Sequence, residues 1–234
     1  MTKGDPSTNA PGDSITVPWS NVVRFVRQLS HDLRNHLNAA ELQAVYLNEL
    51  AADEEMKSEI KRLREMIAQL GAILQKLSAD LGQAKPNLMT YGAADFVEDM
   101  RRKVAQDFPE QSALAQWEVQ LKNETLEMDP QLLQQVLLEL FANAFRHEPK
   151  ADAIKAKARM EKGQFVFTLE ERKAPFELPT KNWGREPLGH VGQGHYGLGL
   201  NRVRAIVEAH HGEFGAKYDA GTLVTTITLP LSGA

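Results

Sequence analysis

Eight apolar residues follow a strict four-three spacing: Met56, Ile60, Leu63, Ile67, Leu70, Leu74, Leu77 and Leu81. A stripe of that period stays on one face only when a helix winds against another helix, so it predicts a coiled-coil-like seam. Asp53 stands where an N-cap is needed, with Glu54 and Glu55 in the first turn, where the helix dipole favours acids. Gly82 and Pro86 end the segment. Upstream, Val22, Val26, Leu29, Leu33, Leu37, Ala40, Ala44 and Leu47 give a second amphipathic helix over residues 20 to 50. Two such helices with a short loop form a hairpin that buries too little alone. Two hairpins from two chains make a four-helix bundle, which predicts a homodimer through residues 20 to 82. With Leu29 and Leu33 turned inward, His31 points outward, within reach of a partner.

From residue 88 the pattern changes. A helix is expected over Ala93 to Phe108, strands over Trp117 to Leu121 and Thr125 to Met128, and a helix from Asp129-Pro130 through His147. Ala153 to Met160 and Gln164 to Glu170 read as a hairpin about Glu161-Lys162-Gly163. Residues 172 to 195 form a long Gly/Pro-rich connection of the kind that serves as a functional lid. A helix over Tyr196 to His210, capped by Gly212, precedes a last hairpin, Glu213 to Tyr218 and Thr222 to Pro230. The fold class is therefore α+β: a helical hairpin, then a mixed or antiparallel sheet covered by helices on one face. The expected divisions are a disordered segment over 1–18, the hairpin over 19–85 and the second domain over 88–234.

Bulk properties narrow the function. The net charge of −4 implies no general affinity for nucleic acid. With no cysteine, disulfides and thiolate metal sites are excluded. No apolar run approaches the roughly 20 residues that span a bilayer, and the polar start lacks the apolar core of a signal peptide. The expectation is a cytoplasmic protein without membrane contact, whose sensor is a separate chain.

Three segments carry chemistry. In His31-Asp32-Leu33-Arg34-Asn35 an imidazole, an adjacent carboxylate and an amide one turn later share a helix. A carboxylate beside the ring can hold one ring N–H and leave the other nitrogen free to attack phosphorus. On the helix after Asp129, Glu139 and Asn143 stand one turn apart as oxygen ligands suited to Mg²⁺, with Arg146 or His147 available to phosphate. Gly192-Gln193-Gly194-His195-Tyr196-Gly197-Leu198-Gly199-Leu200 is a glycine-rich loop entering a helix N-terminus, where backbone N–H groups can hold phosphates.

In this order the three segments, with the tail from Val203 to Pro230, resemble the catalytic core of sensor histidine kinases over residues 20 to 231. The resemblance implies an ATPase-like domain of the gyrase and histidine-kinase (Bergerat) type. It implies that His31 is the phosphoacceptor, that Asp32 is the base that orients it, and that Asn35 positions water when a partner's phospho-aspartate is hydrolysed. Asn143 and Glu139 would hold Mg²⁺ and the ATP triphosphate, with Arg146, Gly194, Gly197 and Gly199 at the phosphates. The partner would be a response-regulator receiver domain.

The chain departs from that pattern at three places. His36 stands where the family has a helix-bending proline, and His195 replaces a glycine. The family's Asp-x-Gly-x-Gly, whose aspartate holds the adenine amine, is absent. The chain reads Thr168-Leu169-Glu170-Glu171-Arg172-Lys173-Ala174-Pro175-Phe176, with Glu170 or Glu171 as the stand-in and neither glycine present. The expected function is a phosphorelay protein of two-component signalling, similar to dimeric histidine phosphotransferases derived from kinases. It would exchange phosphate between His31 and receiver aspartates, with ATP-dependent autophosphorylation weakened by the lost glycine box. The alternatives are an active kinase using Mg-ATP and a non-catalytic dimer that binds a response regulator.

Overall fold

A computed structural model describes residues 17–146, 154–173, 180, 183–185 and 197–231. The chain divides into two compact units, Met1–Leu81 and Gly82–Ala234. The expectation of disorder over 1–18 falls mostly outside the described residues, as do His147 and His195.

The first unit is a hairpin of α1 (Trp19–Leu50) and α2 (Glu54–Asp80). Asp53 caps α2 as its sequence position requires: its Oδ1 accepts the Met56 N–H at 2.7 Å. Ser30, Ala44 and Ile60 are buried where the helices meet, and small residues there let the backbones approach. Across the interface Arg64 Nε donates to Glu41 Oε1 at 2.7 Å, and Arg27 donates to the Leu81 carbonyl at 2.9 Å. The four-three stripe divides between two neighbours. Ile60, Ile67, Leu74 and Leu81 turn inward, whereas Met56, Leu63 and Leu70 remain exposed. On α1, Leu29, Leu33 and Leu47 are exposed as well, so the single hairpin does not bury the residues expected inward.

The second unit has a five-stranded sheet in the order β2-β4-β5-β7-β6 and a separate antiparallel pair, β1-β3. The strands are β1 (Met89–Gly92), β2 (Ala115–Gln120), β3 (Thr125–Met128), β4 (Ile154–Glu161), β5 (Gln164–Arg172), β6 (Glu213–Asp219) and β7 (Thr222–Pro230). β2 runs parallel to β4 and every other neighbouring pair is antiparallel, so the sheet is mixed. The helices are α3 (Ala93–Asp107), α4 (Pro130–Arg146) and α5 (Gly199–Ala209). β1 has no counterpart in the sequence-based expectation: four residues with half-exposed side chains carry too little periodicity to read.

The core forms between the helices and one face of the sheet. Phe96, Met100, Leu133, Leu137, Phe141, Val203, Ile206 and Val207 meet Phe165, Phe167, Leu169, Ile227 and Leu229. Trp117 stacks on Phe141 at 5.3 Å between centroids and packs beside Phe167. Lys162 and Gly163, with φ of 50° and 77°, turn β4 into β5, and Ala220 and Gly221 do the same between β6 and β7.

α5 begins at Gly199, three residues later than the sequence suggests. Gly197 holds φ at 63°, which a right-handed helix cannot include. At its other end the left-handed residue is His211, φ 60°, not Gly212. The His211 and Gly212 N–H groups donate to the Glu208 and Val207 carbonyls, both at 3.0 Å, a Schellman closure. Gly212 is needed for another reason: a Cβ there would fall 2.2 Å from the Thr228 carbonyl oxygen.

His210 ties this end of α5 to the start of α4. Its Nδ1 lies 2.7 Å from the Ile206 carbonyl, and its Nε2 accepts the Asp129 N–H at 3.0 Å. Both contacts are satisfied only by the neutral ring with its proton on Nδ1. Burial pushes the His210 pKa down, outweighing the upward pull of the Ile206 carbonyl and the Asp129 carboxylate. Burial also acts to raise the Asp129 carboxyl, but the N–H groups of Asn87, Leu132 and Gln131 hold it below its ordinary value. Both depressed groups bind protons more readily in the unfolded chain, so stability is present at neutral pH and lost as pH falls. The urea midpoint of the second unit is expected to drop from pH 7.5 to 5.5, through the unfolded histidine value of about 6.5. His210→Ala, which orphans the Asp129 N–H, is expected to cost about 2 kcal/mol at pH 7.5 and to flatten that dependence.

Candidate functional site

His31 lies in the middle of α1 with its side chain 65% exposed. Asp32 Oδ1 stands 3.3 Å from His31 Nδ1, and Asn35 Nδ2 stands 3.4 Å from the same nitrogen. Gln28 Nε2 donates to Asp32 Oδ1 at 2.9 Å and holds the carboxylate in place. The helix sets this convergence, because residues 28, 31, 32 and 35 are neighbours at spacings of one, three and four. With the ring proton on Nδ1, Asp32 accepts it and Nε2 keeps its lone pair, while Asn35 Nδ2, itself a donor, stands beside Nδ1 without a hydrogen bond to it. On the side of α1 that carries Arg34 and Asn38, a groove of about 430 Å³ runs between the two helices. Leu37, Glu41, Lys61, Arg64, Ala68 and Gly71 are also among its lining residues.

In the second unit the N-terminus of α5 meets the middle of α4. Gly199 leaves room there for the Glu139 carboxylate: a Cβ would overlap Glu139 Oε1 and Cδ and push that side chain aside. Asn143 Nδ2 donates to Glu139 Oε1 at 3.4 Å, and Arg146 donates to Asn143 Oδ1 at 3.1 Å. Glu139, Asn143 and Arg146 thus form one line of polar contacts along α4 that ends against the first turn of α5. Gly197, at φ 63°, lies two residues before Gly199, and Gly194 lies outside the described residues. Among the described residues no group of three or more His, Cys, Asp or Glu could hold a metal. A cation here would therefore rest on Glu139, Asn143 and oxygens supplied by its ligand or by water.

The two glutamates after Leu169 part company. β5 runs on to Arg172, so both lie in the strand and face opposite ways. Glu170 accepts from Lys157 Nζ at 2.8 Å and leaves the helix-covered face. Glu171 shares the face of Phe165, Phe167 and Leu169, is buried, and accepts from Lys173 Nζ at 3.1 Å. Lys173 is a residue that sequence reasoning missed, although the strand period of two puts it beside Glu171.

Sequence reasoning also missed an anchor in the 172–195 connection. Arg204 donates to the Trp183 carbonyl from Nε at 3.2 Å and from a terminal nitrogen at 2.9 Å, and to the Phe214 carbonyl at 2.9 Å. Asn201 donates to the Gly184 carbonyl at 3.0 Å. Gly184 has φ of 73°, and a Cβ would meet the Leu200 carbonyl oxygen at 2.4 Å. No local sequence signal announces these contacts, which join residues about 20 apart.

Residues 128–233 match the family model of the histidine kinase-, DNA gyrase B-, and HSP90-like ATPase. Curated relatives include the adaptive-response sensory kinase SasA of Gloeothece citriformis, 26% identical over 208 residues, covering 81% of this chain and 52% of that protein. The sensor histidine kinase HprS of Escherichia coli is 28% identical over 238 residues, covering 91% of this chain and 48% of that protein. The chain spans about half the length of the curated relatives it matches. Full-length ShkA in complex with AMPPNP superposes with a TM-score of 0.68 at 19% identity, over 90% of this chain and 46% of that one. The histidine kinase AdeS of Acinetobacter baumannii gives 0.53 at 21% identity, over 87% of this chain and 98% of that one. No helix among the described residues is long and apolar enough to cross a membrane. Residues 128–233 thus resemble the histidine kinase-, DNA gyrase B-, and HSP90-like ATPase in sequence, in a chain that is similar to sensory kinases and shares the fold of histidine kinase structures.

Proposed function

We propose that this chain works in two-component signalling as a phosphotransfer protein, with His31 exchanging a phosphoryl group with the aspartate of a response-regulator receiver domain. The observation that carries the reading is the convergence of Asp32 and Asn35 on Nδ1 of an exposed histidine. Nε2 attacks the phosphorus of a receiver acyl phosphate, the bond from phosphorus to the carboxylate oxygen breaks, and the aspartate leaves as carboxylate. Asp32 holds the Nδ1 proton and stabilises the positive charge that the ring gains. Asn35, on the same face, positions water for hydrolysis of a receiver phospho-aspartate. The groove lined by Arg34, Asn38, Glu41, Lys61 and Arg64 begins one turn along α1 from His31 and offers mixed charge, which suits a protein partner.

The homodimer belongs to the same reading. Leu29, Leu33 and Leu47 on α1 and Met56, Leu63 and Leu70 on α2 form an apolar stripe that one hairpin leaves exposed. A second copy covers it and completes a four-helix bundle. His31 lies two residues from both Leu29 and Leu33, about 200° round the helix, and so keeps clear of that interface.

A second reading, a working kinase that uses Mg-ATP, is favoured by the ATPase-type domain and by the AMPPNP bound to the neighbour ShkA. Glu139 and Asn143 suit a hard cation that neutralises phosphate charge, with Arg146, Gly197 and Gly199 at the phosphates. The base end does not fit the same ligand, since Glu171 is already paired with Lys173. No phosphoryl step is therefore assigned to the second unit. In the third reading, a dimer that only binds a regulator, His31 has no chemical duty.

His31→Gln is expected to abolish labelling of the chain by a phosphorylated receiver, and Asp32→Asn to slow it about 100-fold. Unchanged cellular function in His31→Ala supports the binding-only reading instead. Sedimentation at micromolar concentration is expected to give a dimer, and Leu63→Lys with Leu70→Lys a monomer that keeps its helicity. Calorimetric titration with Mg-ATP separates the first two readings: clear binding that Asn143→Ala weakens supports the kinase.

A further inference from the structure

We infer that Lys173 is an internal ligand of the nucleotide-type site, its ammonium occupying on Glu171 the place that the amino group of a base would take. The inference rests on reading the second unit as a nucleotide-site fold and goes beyond the loss of its glycine box.

The pair is built into the sheet. Glu171 lies in register with Leu223 of β7, on the helix-covered face, and its side chain is 8% exposed. Lys173, one residue past the end of β5, has its side chain 19% exposed and its Nζ 3.1 Å from Glu171 Oε1. The Lys173 backbone is held on both sides: its N–H donates to the Gly221 carbonyl at 2.9 Å, and its carbonyl accepts the Tyr218 hydroxyl at 3.2 Å. Swinging Lys173 away therefore requires rotation of its side chain alone, while Glu171 is left buried and unpaired.

An exocyclic amine and a lysine ammonium are the same kind of partner for a carboxylate, since both donate N–H. The ammonium carries a full charge and is the stronger donor. A base that reaches Glu171 must displace it, and an uncompensated buried carboxylate opposes that exchange until the new donor arrives. Lys173 thus lowers the affinity for an amino-purine nucleotide without blocking the phosphate end, where Glu139 and Asn143 stand.

The test is a titration of the full chain with Mg-ATP, followed by calorimetry, for wild type, Lys173→Met and Lys173→Met with Glu171→Gln. Lys173→Met removes the donor and keeps the side-chain length. It is expected to tighten binding at least tenfold, and the added Glu171→Gln is expected to remove that gain. Affinity that is unchanged, weaker or still undetectable in Lys173→Met overturns the inference, as does a gain that persists in the double variant. Circular dichroism monitors folding, and Lys173→Ser, which admits water to Glu171, takes the place of Lys173→Met if that variant does not fold. Loading of His31 from a phosphorylated receiver, measured on wild type without nucleotide, tests the phosphotransfer reading separately, so either can fail alone.

Discussion

Two contacts fix α4 against α5, and the site in the second unit depends on their spacing. At one end the Asp129 N–H donates to His210, and at the other Glu139 fills the space that Gly199 leaves open. Ten residues separate the contacts on α4 and eleven on α5. At 1.5 Å per residue these are rises of about 15 and 16 Å, so two antiparallel helices can satisfy both at once. A slip of one turn would drive Glu139 towards a residue with a Cβ and take His210 away from the half-buried Asp129 N–H. The glycine at 199 and the histidine at 210 are thus two marks of one helix register. That register delivers the first turn of α5, with its free N–H groups, to the carboxylate and amide on α4.

This explains which parts of the chain could be read in advance. The long helices announce themselves, because a four-three stripe over 26 residues and an Asp53 cap admit one backbone conformation. Strands β3 and β7 are legible for the same reason, since alternation and turn glycines agree. The sequence suggests a start for α5 at Tyr196, whereas Gly197 in a left-handed conformation sets the boundary at Gly199. The cap expected from Gly212 is closed with His211 in the left-handed conformation, and Gly212 is a glycine for reasons of space and not of φ. β1 and the Arg204 anchor on Trp183 were not legible at all. Their partners lie tens of residues away, and no periodicity records a tertiary hydrogen bond.

The glutamates after Leu169 show how a strand limit changes a functional reading. If β5 ended at Glu170, Glu171 would sit in a loop, free to turn either way, and either glutamate could stand in for the missing aspartate. Continuing β5 to Arg172 turns Glu170 outward to Lys157 and Glu171 inward to Lys173. The same period of two that selects Glu171 also supplies its competitor. In a pattern with glycine at 173 no side chain could reach the carboxylate. The absent glycines therefore act through the charge they admit as well as through the space they take.

The hairpin carries a comparable division between faces. Along α1 the residues that meet α2 include polar and small ones, Ser30, Glu41 and Ala44, while larger leucines point away from the hairpin. A helix pair that kept its most apolar residues for its own seam would need no second copy. Here the stripe of α2 is divided, with Ile60, Ile67, Leu74 and Leu81 inward and Met56, Leu63 and Leu70 exposed, and the proposed second copy would cover the exposed set. Because the exposed leucines and His31 lie on opposite sides of one helix, the surface proposed to pair with a second copy is not the surface proposed to react. On that proposal a receiver domain would meet His31 on one side without disturbing the bundle on the other.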